Sequence, residues 1–265
     1  MIDLHCHILP GLDDGPESLE AAVAMCRTAA ADGVKTIVAT PHFKPGACEF
    51  TGPGIREAIG RLTAELKSRD LDIRILPGAE VTVSPEMHSS LEPGGYLTFN
   101  SGRYFLAEFS SLSVPARWDS YLLSFLEAGL TPIIAHPERN SWFLNHPEAL
   151  ETAVRSGILV QITAMSITGG FGPEARDFSI HLLRNNLVHA IASDSHSADF
   201  RPPRLAKAVT LAADVVGRER AEALVTTIPR AIIDSRPIPT MEPIAYETQP
   251  PLQRRGWLQR LGFAH

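Results

Sequence analysis

The chain opens Met1-Ile2-Asp3-Leu4-His5-Cys6-His7. A short apolar run, residues 2–5, leads into two histidines two positions apart. A β-strand sends residues i and i+2 to one face, so a strand ending here presents His5 and His7 together and turns Cys6 the other way. By itself such a pair is equally compatible with a surface feature. The fold is decided by whether the same arrangement recurs along the chain.

It does recur. Runs of the same apolar, β-branched character occupy residues 36–40, 73–76, 104–109, 131–135, 158–163 and 189–193. Continuous apolar runs of this length predict strands covered on both faces, as in a parallel sheet. Helical patterns lie between most of them. Ser18 is placed to cap a helix carrying Leu19, Ala22, Val23 and Cys26, with Gly33 as its stop. Further helices are predicted over 55–66, 119–128, 146–155 (with Pro147 in the first turn), 178–184 and 204–216. Alternating strands and helices predict right-handed βαβ units. Seven strands in 265 residues suit one α/β domain, a closed or nearly closed (β/α) barrel, with an open sheet as the alternative.

Working outward, the composition narrows the function. Hydrophobic residues at 44% and charged residues at 20% are those of a folded soluble chain. A net charge of -6 repels nucleic acid, so no nucleic-acid partner is expected. Cys6, Cys26 and Cys48 form no C-x-x-C pair, which fits a reducing compartment. The N-terminus lacks the basic and apolar regions of a signal peptide, and no apolar run nears the roughly 18 residues that span a bilayer. A cytoplasmic protein is expected. After Arg236 the prolines 237, 239, 243, 250 and 251 mark a change of character. The domain is therefore placed at 1–235 and a tail at 236–265, ending in the basic-aromatic stretch Arg254 to Phe263. That tail is read either as packed back on the barrel or unstructured, or as a segment that docks on a partner or membrane surface.

The ionisable residues fall on this map in one place. His5 and His7 end the first strand, Asp14 lies in the loop after it, and His42 follows the second. Glu80, Glu108 and His136 end or follow the next three, and Asp194 and His196 follow the last. All lie at the carboxyl ends of strands, where α/β barrels carry their active sites. A lone His42 or His136 is more often structural than a ligand, and Glu108 alone could cap a helix. Together they are five of the ten histidines and four carboxylates on one edge. His88, His146, His181, His189 and His265 do not share the placement and are read as structural or surface residues. Nine N/O ligands exceed the needs of one ion and suit two or three. Imidazole and carboxylate without thiolate suit manganese, iron, zinc or magnesium-like ions.

These residues carry a resemblance. The opening heptapeptide, Leu12-Asp13-Asp14-Gly15, Ala39-Thr40-Pro41-His42, Leu76-Pro77-Gly78-Ala79-Glu80, Ala135-His136-Pro137-Glu138-Arg139-Asn140 and Ala192-Ser193-Asp194-Ser195-His196 resemble the PHP (polymerase and histidinol phosphatase) superfamily. Within it the chain is similar, from Met1 to about Pro229, to bacterial tyrosine-protein phosphatases of the CpsB/CapC/YwqE type that serve capsular and exopolysaccharide synthesis. The resemblance implies a PHP-type (β/α)7 distorted TIM-like barrel with three divalent ions, manganese in the first instance. It implies that His5, His7, Glu80 and Asp194 hold one ion. Glu80 would bridge to a second with Glu108 and His136, and Asp14, His42 and His196 would hold the third. Arg139 and Arg201 match the two phosphate-binding arginines; read blandly, Arg139 pairs with Glu138 or another carboxylate and Arg201 is a solvated loop residue. The implied substrate is a phosphotyrosine-bearing protein, a membrane-associated tyrosine kinase, which would bring the enzyme to the inner face of the membrane. A cysteine phosphatase is unsupported: six residues beyond Cys6, Cys26 and Cys48 stand Leu12, Asp32 and Gly54, none of them the arginine of a phosphate loop. A histidinol-phosphate or other small-molecule phosphatase, a metal-stabilised binding module and a homo-oligomer stay open at this point.

Overall fold

The structure, a computed structural model, describes residues 1–44, 46–239 and 242–244. Among them, nine parallel strands carry the architecture: β1 (Ile2–Cys6), β2 (Thr36–Ala39), β3 (His42–Phe43), β4 (Arg74–Pro77), β5 (Glu80–Thr82), β6 (Tyr104–Glu108), β7 (Thr131–Ala135), β8 (Leu159–Thr163) and β9 (Ala190–Ala192). One sheet has the order β1-β2-β4 and the other β3-β5-β6-β7-β8-β9. The seven expected strands are all present. The two additional ones are continuations, since β2 breaks for two residues before β3 and β4 for two before β5. Pro41 has no N–H to give a ladder. At Gly78 a Cβ would stand 2.7 Å from Val38 Cγ1 and 2.9 Å from Phe99 Cδ1, so only glycine lets the strand turn there. The ladder resumes beyond both breaks with His42 opposite Glu80, which sets two candidate ligands side by side.

The first and last strands also meet. His7 N–H donates to Ser195 O at 2.9 Å, Asp194 N–H donates to His5 O at 2.8 Å, and Cys6 and Ser195 form a parallel bridge. The strand array thus curves back on itself at its carboxyl end, although no continuous ladder joins β9 to β1 among the described residues. Inside the curve lies an apolar cluster of alternate strand residues: Ile2 and Leu4, Val38, Leu76, Tyr104 and Leu106, Ile133 and Ala135, Leu159 and Ala190. Ile232 and Ile233, from helix Thr227–Ile233, fill its amino-terminal end. The other strand faces pack outward against the helices in a second, larger cluster.

The helices follow the predicted pattern with shifted ends. Ser18 caps Leu19–Ala31 through a hydrogen bond from Ala21 N–H. The second helix begins earlier than predicted, at Gly52, with Thr51 as its cap and Pro53 in its first turn. The predicted helix at 178–184 begins at Pro173. Ala206–Val216 is capped from a distant helix end: Asp32 Oδ2 accepts from Leu205 and Ala206 N–H at 2.6 and 2.8 Å. Short helices at Met87–Ser90, Ser141–Asn145, Ala164–Ile167 and Arg218–Ala223 have too few turns to show a period in sequence. Among the described residues no helix is long and apolar enough to cross a membrane. Of the proline-rich stretch, Glu242 pairs with Arg155 and Ile244 N–H donates to Asn185 O. The basic-aromatic segment lies outside the described residues.

Candidate active site

The opening histidines reach their place through an irregularity in β1. Ile2 pairs with Thr36 and Asp3 with Ile37, so a regular ladder would set His5 opposite Ala39; Cys6 stands there instead. One extra residue is therefore inserted between Asp3 and Cys6, and such a bulge changes which face the following side chains take. Ile2 and Leu4 belong to the inner cluster, yet Cys6 belongs to the outer one. His5 and His7 consequently face inward above the apolar plug, and both are fully buried.

Every residue expected to hold metal arrives at this mouth. The ligand atoms fall into four overlapping groups, each within 4.8 Å: His7, Asp14, His42 and His196; His5, His7 and Glu80; His5, His136 and Asp194; His42, Glu80 and Glu108. Glu80 is central. Its Oε2 lies 3.3 Å from His5 Nε2, 3.3 Å from His7 Nε2 and 3.1 Å from His42 Nδ1, and its Oε1 lies 2.8 Å from His136 Nε2. Asp194 Oδ1 lies 3.3 Å from His5 and 3.5 Å from His7. Asp14 lies 3.2 Å from His196 and 3.5 Å from His42. Cys6 is in none of these groups. Of the histidines read as structural, His88 stacks on Phe125, His146 on Trp142, and His189 accepts from Val160 N–H.

Two residues that the sequence reading passed over fix the imidazoles. Asp13 Oδ2 lies 2.6 Å from His7 Nδ1 and also accepts from His42 N–H at 3.0 Å. Gln161 Oε1 lies 2.9 Å from His5 Nδ1. His196 Nδ1 lies 3.1 Å from the Asp194 carbonyl. With an acceptor on each Nδ1–H, the Nε2 lone pairs of His5, His7 and His196 all point to the centre, which is the arrangement metal-ligating histidines adopt. Glu80 Oε2 is buried with no hydrogen-bond donor of its own. A buried carboxylate oxygen facing three imidazole nitrogens is the donor set of a cation, and the residues fit one.

The electrostatics agree. Burial opposes charge on His5, His7 and His42, yet their carboxylate neighbours raise all three, with His42 pushed up to about 10. Burial opposes ionisation of Glu80 and Asp194 as well, but the surrounding histidines hold both well below the usual carboxylate range. His196 goes the other way, down to about 4, through burial and the nearby His7 and Arg201. The mouth as a whole attracts positive charge. Backbone strain marks the same place: His136 and Asp194 take φ of 33° and 50°. Such conformations cost on the order of 1–3 kcal/mol each in a non-glycine residue.

Arg139 and Arg201 converge on Asp194. Both guanidinium groups reach its Oδ2, Arg201 at 2.6 Å, and Arg201 also donates to the Asp194 carbonyl at 2.9 Å. Both lie over one ring: Phe171 sits 4.6 Å from the Arg139 carbon and 5.7 Å from that of Arg201. The Nε–H groups of both arginines are buried without an acceptor. Glu138 turns away from Arg139 to accept from Thr163 N–H and Ser166 Oγ, so the carboxylate that Arg139 meets is a candidate metal ligand rather than its chain neighbour. Arg201 is partly buried rather than a solvated loop residue. Phe171, in a Gly-Gly-Phe-Gly loop, gave no sequence signal because its role depends on two residues that meet only in the fold.

Comparison with known proteins places this site. The family described as capsular polysaccharide synthesis, CpsB/CapC, matches residues 1–234. The tyrosine-protein phosphatase YwqE of Bacillus subtilis (strain 168) is 37% identical over 201 residues, 76% of this chain and 79% of that protein. The tyrosine-protein phosphatase CpsB of Streptococcus pneumoniae is 32% identical over 238 residues, 88% of this chain and 98% of that one. A solved chain from the crystal structures of YwqE from Bacillus subtilis and CpsB from Streptococcus pneumoniae, described as metal-dependent tyrosine phosphatases, superposes with a TM-score of 0.88. It shares 33% identity, over 93% of this chain and all of that one. A histidinol phosphate phosphatase from Lactococcus lactis superposes at 0.51 with 16% identity, a likeness of fold.

Proposed function

Because the chain belongs to the CpsB/CapC family of capsular polysaccharide synthesis, we propose that it is a metal-dependent phosphoric monoester hydrolase that removes phosphate from tyrosine. The carrying observation is the convergence of nine ligand side chains and two arginines on one mouth. The phosphotyrosine substrate is supported by the relatives named above.

His5, His7, Glu80 and Asp194 are assigned to a first ion. Glu80, Glu108 and His136 are assigned to a second, and Asp14, His42 and His196 to a third. Bound there, divalent ions, manganese by family resemblance, would supply Lewis-acid charge and an activated water near neutral pH. The protein's own groups do the rest. Arg139 and Arg201 bind the phosphate oxygens, for which planar guanidinium groups are suited as paired donors. Asp13 and Gln161 keep the imidazoles in the ligand tautomer. Phe171 covers the arginines on one side and keeps water from them. Water adds to phosphorus, the phenolic P–O bond breaks, and tyrosine leaves with phosphate as the other product. A phenol of pKa near 10 leaves without a dedicated acid.

The unit that acts is placed at 1–235, with 236–265 as an appended segment. The substrate is placed on a membrane-associated tyrosine kinase of polysaccharide assembly, and the enzyme in the cytoplasm at the inner face of the membrane. Turnover of a phosphotyrosine peptide, histidinol phosphate and a phosphoserine peptide by metal-defined protein tests the proposal. The phosphotyrosine peptide is expected to react fastest, and Arg139→Ala to lose about 10²–10³ in kcat/KM. Faster hydrolysis of histidinol phosphate, or full activity in Arg139→Ala, would overturn it.

A further inference from the structure

Beside the metal-ligand mouth lies a cavity of about 210 Å³. Glu108, His136 and Arg139 form the edge it shares with the site, and Phe109, Ala135 and Phe143 line its depth. We propose that this cavity is the subsite for the phenyl ring of an aryl phosphate ester, and so the part of the site that selects phosphotyrosine over alkyl phosphates. The inference rests on the phosphatase reading above and deepens it.

Size, lining and position each bear on the occupant. The volume is below the roughly 300–1,000 Å³ of pockets for drug-sized ligands, so it suits a single ring rather than a nucleotide or a sugar chain. The lining rings are fixed. Phe109 and Phe143 meet edge to face, with centroids 5.5 Å apart at 71°, and Trp118 backs both at 5.5 and 5.2 Å. Aromatic rings pack on one another in this geometry, and a substrate ring entering here meets the same surface. Among the described residues Glu108 is the one carboxylate on the wall, and its Oε2 already lies 3.5 Å from His42. That wall therefore offers no spare carboxylate for the amine of histidinol phosphate.

The wall is also pre-formed. Asn140 Nδ2 donates to Ser110 O at 2.6 Å, and its Oδ1 accepts from Trp142 and Phe143 N–H at 2.8 and 3.1 Å. Ser141 N–H donates to Ser111 O at 2.9 Å. These bonds tie the loop after β6 to the turn that carries His136 and Arg139. A ring can enter without ordering either segment first, which spares binding energy. Position completes the case: a phosphate held by Arg139 directs its ester oxygen along the shared edge, one bond from the ring.

Competitive inhibition of the metal-loaded enzyme by phenylphosphonate and methylphosphonate tests this. The two share the phosphonate head and differ only in the ring. Phenylphosphonate is expected to bind about tenfold or more tightly, the effect of burying one ring. Ser111, exposed on the cavity wall, gives a safe variant. Ser111→Trp fills the cavity and should abolish the phenyl preference while leaving the methylphosphonate constant unchanged; Ser111→Ala should keep it. Equal constants for the two phosphonates in the wild type, or a phenyl preference that survives Ser111→Trp, overturn the subsite. A wild type that prefers phenylphosphonate but hydrolyses no phosphotyrosine peptide overturns the phosphatase reading and leaves the subsite standing.

Discussion

Replacing Asp13 with asparagine isolates the least conspicuous contribution to the site. The Asp13 carboxylate serves three N–H groups: His7 Nδ1–H at 2.6 Å and His42 N–H at 3.0 Å on Oδ2, and Gly15 N–H at 3.0 Å on Oδ1. An amide has one oxygen and an NH2 that must then face a donor. If the oxygen stays with His7, the NH2 opposes Gly15; if it turns, the NH2 opposes His7 and favours the tautomer whose lone pair points away from the metals. Either way a charge-assisted bond is lost and a buried donor is left unmet. Partners of this kind are worth about 10–100-fold in metal affinity, which is about 1.4–2.7 kcal/mol. Manganese binding by calorimetry should weaken by that factor, with activity recovered at raised manganese. Asp13→Asn that binds manganese as the wild type does would refute the orienting role, and with it the tautomer argument for His7.

Other outcomes follow from the same geometry. Phe171→Ala should raise the competitive inhibition constant of inorganic phosphate by about five- to thirtyfold, the sum of two cation–π contacts, with Phe171→Tyr restoring it. Metal content should be unchanged in both; parallel loss of metal would mean the ring merely supports the fold. Chelation should lower the melting temperature, by about 2–4 °C for each kcal/mol of lost binding energy, and manganese should restore it. An unchanged melting temperature on chelation would contradict resident ions. His189, buried beside β8 and lowered to about 4 by burial and Arg220, stays neutral in the folded chain while the unfolded chain protonates near 6.5. The unfolded state binds the extra proton, so stability falls as pH drops from 6.5 toward 4, by about 3 kcal/mol. Urea unfolding of metal-free His189→Gln should show a flatter pH dependence across that window; an identical slope would show that His189 is not its source.

Much of this was readable before the fold. The strands announced themselves because each is apolar on both faces, and the nine ligand residues because histidines and carboxylates at strand ends are unusual company for such runs. What escaped reading depends on space. Gln161 meets His5 across 156 positions, and Asp13 looked like a neighbour of Asp14 rather than a support for His7. Strands β3 and β5 are too short to show a period, yet they align His42 with Glu80. The tertiary cap that Asp32 gives to the helix at Ala206 replaces the local cap that a sequence pattern would show.

The extra residue in β1 has a consequence for how this chain tolerates change. Most connections here run over the surface, where added or lost residues alter little beyond loop length. Between Asp3 and Cys6 the count itself carries information. Deleting one residue there would preserve composition, hydrophobicity and strand propensity almost entirely, yet it would exchange the parity of everything after it and turn His5 and His7 away from the mouth. Surveys of single-residue deletions should therefore find a sharply intolerant window at 3–6, in a strand whose point substitutions at Ile2 or Leu4 to other apolar residues are mild.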